Sequence, residues 1–196
     1  MLFRSEQVAP SSPEYPTYQK LMTAEVNAAI RGAFSGGASE VIVHDGHHRG
    51  QNLLPDALDA RAELSRGTSS PFCMMTGIET GVDAVFTVGY HAKSGSAPAI
   101  LAHSMDDHIL SYKVNGLEVG EFGLSAILAG WFEAPVLFGS GDQAFAAEAG
   151  ELVPGIEIAM VKLATGYYTS LSEIGVENTG WRTSSDFSAK IGRAHV

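Results

Sequence analysis

The amino-acid sequence predicts an α/β protein in three layers, α/β/α, with a mixed sheet and one β-hairpin. Short apolar runs with the character of buried strands alternate along the chain with stretches of helical periodicity, an order typical of α/β proteins. The dipeptide Asn115-Gly116 lies between two short β-like runs and predicts a tight hairpin, whose antiparallel pair makes the sheet mixed. The 196 residues contain neither an internal repeat nor a linker, so we expect a single domain.

The predicted elements follow one another in a regular order. Apolar residues recur at helical spacing over residues 22–33, and Gly36 ends this first helix. A short strand at residues 41–43 leads into a polar, glycine-rich loop at residues 45–51, and the clearest central strand spans residues 84–90. The other predicted elements are a short helix at 71–78, hairpin strands at 111–114 and 117–119, a helix at 124–132, a strand at 135–138, a helix at 143–152 and a strand at 156–163.

Composition and charge exclude several classes of function. With 45% hydrophobic and 17% charged residues, the chain can bury a sizeable core and is not disordered. The net charge of −10 argues against binding to nucleic acid or to anionic membranes. No apolar run approaches the roughly 20 residues of a membrane span, and no signal-peptide pattern opens the chain. We therefore expect a cytoplasmic protein without nucleic-acid or membrane partners, in which the single cysteine, Cys73, packs in the core.

The two ends of the chain have an unusual sequence. Residues 2–5 and residues 191–196 can both be written in codons that match a common sequencing-library adapter, and the two codon strings are partly reverse complements. Residues translated from an adapter are not part of the natural protein and, like a fusion scar, say nothing about its fold. We expect residues 1–5 and 191–196 to be non-native and a single domain to span residues 6–190.

Three histidines and one glutamate lie where predicted strands end or the next element begins. His91 directly follows the central strand, His47 lies in the loop after the first strand, and His103 follows a short apolar run. Glu121 comes just after the hairpin. Imidazole nitrogens and carboxylate oxygens are ligands that zinc prefers. The set therefore predicts a zinc site, although its long spacing lacks the compact pattern of a His-Glu-x-x-His motif.

Some of these residues have more than one interpretation. Either His47 or His48 could be the ligand in its loop, and Asp45 could orient an imidazole by accepting its free N–H. For His48 and Arg49, a solvated surface position is the favoured interpretation. Glu121 could also serve as an acid in the first turn of the following helix, where it complements the helix dipole.

A glycine-rich turn from Gly139 to Ala144 offers a different function. It follows a predicted strand and opens a predicted helix, which resembles a dinucleotide-binding fingerprint. Asp142 would place a carboxylate where the pyrophosphate has to sit, so we interpret Asp142 as the N-cap of the helix. A nucleotide-binding module built on this turn is the alternative function.

The order of short motifs along the chain resembles one known family. The motifs are Leu21-Met22-Thr23-Ala24-Glu25-Val26-Asn27, His44-Asp45-Gly46-His47, Asn52-Leu53, Gly89-Tyr90-His91-Ala92-Lys93, Ala102-His103-Ser104-Met105, Val114-Asn115-Gly116, Val119-Gly120-Glu121-Phe122-Gly123-Leu124 and Gly141-Asp142. Singly they are loose, but in this order they are specific. Over residues 15–162 they resemble the bacterial zinc-dependent D-aminopeptidase family of the dipeptide-operon type.

This resemblance implies a co-catalytic pair of zinc ions that removes an N-terminal D-amino acid from short peptides. Matched motif by motif, it implies that His47, His91 and Glu121 bind metal and that His103 is the catalytic histidine, assigned in the family as a nucleophile. It also implies self-association into a ring-shaped homo-oligomer whose sites face a central space. From the residues themselves we add Asn115 as a side chain that could position a small substrate.

The chain departs from the family pattern at its start. The family opens with a strand whose Asp-x-Glu pair supplies two further carboxylate ligands, whereas Glu6 and Glu14 do not stand in a matching context. Two zinc ions held close together need a bridging anion. We therefore expect a domain that lacks this N-terminal strand, has a groove or an open sheet edge in its place, and binds one zinc ion or none. A non-catalytic, oligomer-forming fragment is the third hypothesis.

Overall fold

The computed structural model describes residues 7, 9–67, 70–106 and 108–171. The ends for which we expect a non-native origin, residues 1–5 and 191–196, lie outside these ranges. The main helices and strands are α1 Tyr15–Ser35, β1 Ile42–His44, β2 Glu63–Ser65, β3 Val85–Thr87, β4 Lys113–Val114, β5 Leu117–Glu118, α2 Glu121–Trp131, β6 Val136–Asp142, α3 Gln143–Leu152, β7 Glu157–Ala164 and β8 Ser170–Leu171.

The described strands form three sheets. A four-stranded sheet has the order β3-β6-β7-β8, and its strands are parallel except for β8, which runs antiparallel to β7. β1 and β2 form a separate parallel pair, and β4 and β5 form the hairpin around Asn115-Gly116. The predicted α/β class, with a mixed sheet and one tight hairpin, is therefore confirmed. The predicted reason for the mixed sheet is wrong, because the hairpin forms a sheet of its own and β8 supplies the antiparallel strand.

Helices cover both faces of the four-stranded sheet. Ala28 of α1 belongs to a core cluster with Phe138 of β6 on one face. On the other face, Phe122 of α2 and Phe145 of α3 pack with Val136. Fully burying a side chain of this size contributes roughly 1.5–3 kcal/mol, so both helix layers are held by apolar contact with the sheet. This arrangement gives the three layers that the sequence predicts.

The predicted short helix at residues 71–78 is wrong. The segment instead forms two 3₁₀ turns, Cys73–Met75 and Ile78–Thr80, and Gly77 between them has a φ of 104°. A residue in the left-handed region cannot continue a right-handed helix, so the segment breaks there. Cys73, expected in the core, is exposed on the first of these turns.

A cavity of about 1160 Å³ lies between the β1–β2 pair and the four-stranded sheet. Residues of β1 and of β3 line it. Within the described ranges β1 pairs with β2 and β3 pairs with β6, so one edge of each strand has no strand partner. The cavity is therefore a groove between two sheet edges as well as the space into which the candidate site opens.

Candidate metal centre

His91 lies just beyond β3 on a segment that the fold holds firmly. The main-chain N–H of Gly89 donates to Ser140 Oγ, and that of Tyr90 donates to the Ser140 carbonyl, each at 2.9 Å. The Tyr90 ring also packs edge-on against Phe122. Burial raises the pKa of Tyr90 to about 12, so the residue before His91 remains a neutral ring in the core. These contacts fix the position of His91 at the end of the sheet.

His103 lies between two residues with unusual backbone conformations. Leu101 has a φ of 50° and Met105 a φ of 64°, both in the left-handed region that bulky residues rarely adopt. The N–H of Leu101 is held by the carbonyl of Tyr167 at 3.1 Å. Such conformations cost about 1–3 kcal/mol each and concentrate at functional sites.

Glu121 is the first residue of α2, and the glycine before it allows a close approach. Gly120 is the N-cap, in an extended conformation. A Cβ at position 120 would lie 2.7 Å from Lys93 Cβ and 3.1 Å from Glu148 Oε1. Glu148 also accepts the main-chain N–H of Lys93 at 2.8 Å. The start of α2 therefore fits directly against the loop that follows His91.

His91, His103 and Glu121 meet in one group, which we call the His–Glu cluster. Their ligand atoms all lie within 4.8 Å of one another. His91 Nε2 is 3.4 Å from Glu121 Oε2, and His103 Nε2 is 3.3 Å from Glu121 Oε1. The two imidazole rings stack, with centroids 3.9 Å apart. His91 and Glu121, two of the three residues predicted to bind metal, therefore lie together, and their role as ligands stays a prediction.

Main-chain carbonyls determine which nitrogen of each imidazole carries a proton. His91 Nδ1 lies 3.0 Å from the carbonyl of Ala92, and His103 Nδ1 lies 2.6 Å from the carbonyl of Leu101. A carbonyl only accepts, so both Nδ1 atoms donate, and a neutral ring keeps its lone pair on Nε2. Two Nε2 lone pairs and a carboxylate directed at one point form a donor set that fits zinc.

The cluster also has a marked electrostatic character. Burial lowers the pKa of His91, but the hydrogen bond and the charge of Glu121 outweigh burial, and the net pKa is raised. Burial raises the pKa of Glu121, yet His91, the charge of His103 and the N–H of Met105 reverse this, and the net pKa is lowered. The cluster thus favours a negative carboxylate beside a positive group, and a divalent cation can take the place of the imidazole proton.

His47 lies in the loop that follows β1. It is exposed and lines the same cavity as the His–Glu cluster, but it is not a member of the group within 4.8 Å. Its Nδ1 is 2.9 Å from Asn52 Oδ1. The expectation that His47 joins His91 and Glu121 around shared metal therefore stays a prediction. His48 and Arg49, expected at the surface, are both exposed.

Asp45 binds Asn52, a motif residue for which the sequence predicted no role. Its buried carboxylate accepts the main-chain N–H groups of Asn52 and Leu53 and the side-chain amide of Asn52, at 2.7–2.9 Å. The imidazole of His47 is bound by Asn52 instead. The expected direct contact from Asp45 to an imidazole is therefore corrected, because Asn52 lies between the two. We call residues 45–52 the His47 loop.

Asn115 has a local role in the hairpin. Its φ is 52° and that of Gly116 is 85°, which matches the tight turn that joins twisted antiparallel strands. Asn115 is exposed and is not among the residues that line the cavity. The structure therefore gives no support to the expectation that Asn115 positions a substrate.

The glycine-rich turn has no room for a nucleotide. A Cβ at Gly139 would lie 2.9 Å from the Phe145 ring, and one at Gly141 would lie 2.5 Å from that ring and from the Tyr90 carbonyl. Asp142 is buried and accepts the N–H of Phe145 at 2.9 Å, which confirms it as the N-cap of α3. These glycines serve close packing, and the geometry argues against the nucleotide-binding alternative.

Among the described residues, none of the helices combines the length and the apolar character needed to cross a membrane.

Comparison with known proteins places this site in a family. A profile of the D-aminopeptidase family, peptidase family M55, matches residues 1–179. The D-aminopeptidase of Bacillus subtilis (strain 168) is 38% identical over 148 residues, which are 76% of this chain and 54% of that protein. The chain thus spans about half the length of this curated relative.

A solved structure gives the same result. The Zn-dependent D-aminopeptidase DppA from Bacillus subtilis, described as a self-compartmentalizing protease, matches with a TM-score of 0.87 and 29% sequence identity. The match covers 99% of this chain and 67% of that one. The resemblance drawn from the sequence motifs is confirmed, and the chain belongs to the D-aminopeptidase family.

Proposed function

We propose that this chain carries the zinc site of an aminopeptidase that removes N-terminal D-amino acids from short peptides. The observation that supports this most strongly is the convergence of two Nε2 lone pairs and a carboxylate at the cavity. The similarity to the D-aminopeptidase of Bacillus subtilis supports the class of substrate.

In this proposal His91 and Glu121 bind the metal, and His47, which lines the same cavity, is a further ligand. His91 and Glu121 are the less exposed members of the cluster, with side chains 13% and 14% exposed. A ligand shielded from water loses fewer interactions when a cation binds, because it has less hydration to give up. Zinc bound here would act as a Lewis acid on the carbonyl of the scissile amide.

His103 is proposed as the catalytic residue. Its side chain is 28% exposed, about twice as much as that of His91, so a substrate in the cavity can reach it. The hydrogen bond from its Nδ1 to the Leu101 carbonyl leaves Nε2 as the reactive atom. In one route Nε2 attacks the carbonyl carbon, the C–N bond breaks as the amine leaves with a proton from water, and a second water hydrolyses the acyl-imidazole. In the other route Nε2 takes the proton from an attacking water and passes it to the amine as the C–N bond breaks. The carbonyl that orients the ring also stabilises the imidazolium that forms.

The groove between β1 and β3 supports a more complete form of the site. Each strand has one edge without a strand partner in the described part of the chain, and a single extended segment could pair with both. We propose that a strand carrying an Asp-x-Glu pair occupies this groove. Its carboxylates would reach the cavity that the His–Glu cluster lines and would hold a second zinc ion.

Self-association is also proposed. Large apolar side chains remain exposed just before the hairpin and at the end of α2, including Leu110 at 83% and Trp131 at 82%. Exposed apolar surface of this kind favours contact with another protein surface. DppA is described as a self-compartmentalizing protease, which supports a homo-oligomer as the partner.

The test uses two proteins, the 196-residue chain and a version extended by the opening strand of the family. Zinc content would be measured after removal of loosely bound ions, and hydrolysis would be compared for D-alanyl and L-alanyl dipeptides. We expect the extended protein to bind two zinc ions and to cleave the D-alanyl peptide preferentially. The 196-residue chain should bind one zinc ion at the His–Glu cluster and turn over slowly.

Two outcomes would contradict the proposal. A protein that binds no zinc in either form would support the hypothesis of a non-catalytic, oligomer-forming fragment. An extended protein that binds zinc and prefers the L-alanyl peptide would keep the metal site but would overturn the substrate class.

A further inference from the structure

We propose that Asn52 is a positioning residue that fixes the tautomer of His47 and so directs its Nε2 lone pair into the cavity. The buried carboxylate of Asp45 fixes Asn52 in turn. This inference rests on the proposed function, in which His47 binds zinc.

The orientation of the Asn52 amide follows from its partners. One atom of the amide lies 2.7 Å from the main-chain carbonyl of His47 and 2.8 Å from Asp45 Oδ1. A main-chain carbonyl cannot donate a hydrogen bond, so the atom that contacts it is the amide nitrogen. The other end of the amide is therefore the oxygen, Asn52 Oδ1.

The amide oxygen then determines the state of the imidazole. Asn52 Oδ1 lies 2.9 Å from His47 Nδ1 and 3.0 Å from the hydroxyl of Tyr15. An amide oxygen only accepts, so His47 Nδ1 carries a hydrogen and donates it. In the neutral ring, the lone pair is left on Nε2, which is the atom available to a metal in the cavity.

The support behind Asn52 is buried and fully bonded. Asp45 is only 4% exposed. Its Oδ2 accepts the main-chain N–H groups of Asn52 and Leu53 at 2.7 and 2.9 Å. Its Oδ1 accepts the Asn52 amide. Because both carboxylate oxygens accept hydrogen bonds, the Asn52 amide has one stable orientation. In that orientation its oxygen faces His47 Nδ1 and keeps the proton on that nitrogen.

Position 52 is the place where this control can be removed by substitution. Main-chain carbonyls set the tautomers of His91 and His103, and no side-chain change can delete them. The tautomer of His47 is set by a side chain. Groups that orient a metal-binding imidazole in this way change metal affinity by about 10- to 100-fold when they are removed.

The experiment compares the 196-residue chain with its Asn52→Leu variant, using zinc alone as the probe. Leucine has nearly the shape of asparagine but cannot accept a hydrogen bond. Nitrogen-15 NMR of the zinc-free proteins should show His47 as the Nδ1–H tautomer in the parent and a shift towards Nε2–H in the variant. Zinc titration should show about 10- to 100-fold weaker binding in the variant.

Tyr15→Phe is the matched control. It removes the other group that contacts Asn52 Oδ1 and leaves the His47 bond intact. We expect it to keep the Nδ1–H tautomer and to change zinc affinity by no more than about two-fold, the size of a lost peripheral contact. An equal loss of zinc affinity in Tyr15→Phe and Asn52→Leu would overturn the inference, because it would show a general packing effect.

Other outcomes separate this inference from the function on which it rests. If His47→Ala loses zinc but a folded Asn52→Leu binds it normally, the role of Asn52 is refuted and that of His47 stands. If His47→Ala binds zinc normally, the ligand assignment itself is wrong, and the positioning role falls with it. If Asn52→Leu does not fold, the nitrogen-15 NMR of the zinc-free parent protein is the test. An Nε2–H tautomer at His47 overturns the inference, and an Nδ1–H tautomer supports it.

Discussion

The His–Glu cluster and the His47 loop line the same cavity, and they hold their imidazoles by different means. In the cluster, main-chain carbonyls bind Nδ1 of His91 and His103, and the ligand atoms converge to within 4.8 Å. In the His47 loop, a chain of side chains holds a single exposed imidazole at Nδ1. In the cluster, the course of the backbone therefore orients the imidazoles, whereas in the loop particular side chains orient the imidazole.

This contrast makes different demands on the sequence. Side chains around the cluster can change without altering the imidazole tautomers, provided that the backbone stays in place. The His47 loop depends on the identities of Asp45 and Asn52. We expect the cluster to bind zinc even without the His47 loop. The loop should raise the zinc affinity and fix the position of one further ligand.

Removing a ligand from the cluster should have the largest effect. In His91→Ala we expect zinc affinity to fall by more than about 100-fold. This is the upper end of the loss expected when a residue that only orients a ligand is removed. Calorimetric zinc titration would measure this. The control is His108→Ala, which removes an exposed histidine whose side chain is 94% accessible. Equal affinities in the two variants would show that zinc binds elsewhere.

Removing His103 should separate catalysis from metal binding. In an active extended protein, His103→Ala should lower turnover of a D-alanyl peptide by about 10²- to 10⁴-fold, the usual contribution of a positioned acid–base group. Zinc content should stay close to that of the parent. If zinc is lost to the same extent as in His91→Ala, then His103 is a ligand and the proposed division of roles is wrong.

The sequence predicts the cluster better than the loop for a physical reason. His91 follows an apolar strand and Glu121 opens a helix, so their positions follow from local patterns that parallel strands bring to one edge. The bond between Asn52 and His47 depends on how a loop folds back over five residues, which no periodicity describes. The strands β2 and β8 were missed similarly, since three and two residues carry too little alternation to detect.

Disturbing the backbone beneath the cluster should have an intermediate effect. Gly120→Ala places a Cβ 2.7 Å from Lys93 Cβ, so we expect a loss of about 1–3 kcal/mol in the free energy of unfolding. Zinc affinity should fall as well, because Glu121 must move. Gly130→Ala in the same helix meets no described atom within 4 Å and should instead stabilise by up to about 1 kcal/mol. Urea denaturation of both variants would measure the difference, and similar stabilities would contradict the close fit at Gly120.

The smallest expected effect is a pH dependence with opposite signs in the two metal states. The His91 pKa is raised above 6.5 by Glu121 against the effect of burial, so the stability it adds to the zinc-free protein is lost as pH rises through that pKa. The Glu121 pKa is lowered below 4.5, so its contribution is lost as pH falls through its own pKa. Thermal midpoints should thus decline above neutral pH without zinc.

With zinc the trend should reverse, because protons compete with the metal for His91 and affinity rises with pH. The His91→Gln variant should lose both trends. A zinc-free midpoint that rises steadily from weakly acidic to weakly alkaline pH would contradict the charge arrangement of the cluster.

The most direct test of the central claim, that the cluster is a zinc site built by the fold, is the position of zinc in a crystal of the 196-residue chain. Anomalous scattering at the zinc absorption edge would locate the ion independently of any assumed ligand. We predict a peak with His91 Nε2 and a Glu121 oxygen both at about 2.0–2.2 Å. A zinc peak distant from both residues, or none in crystals saturated with zinc, would contradict the account.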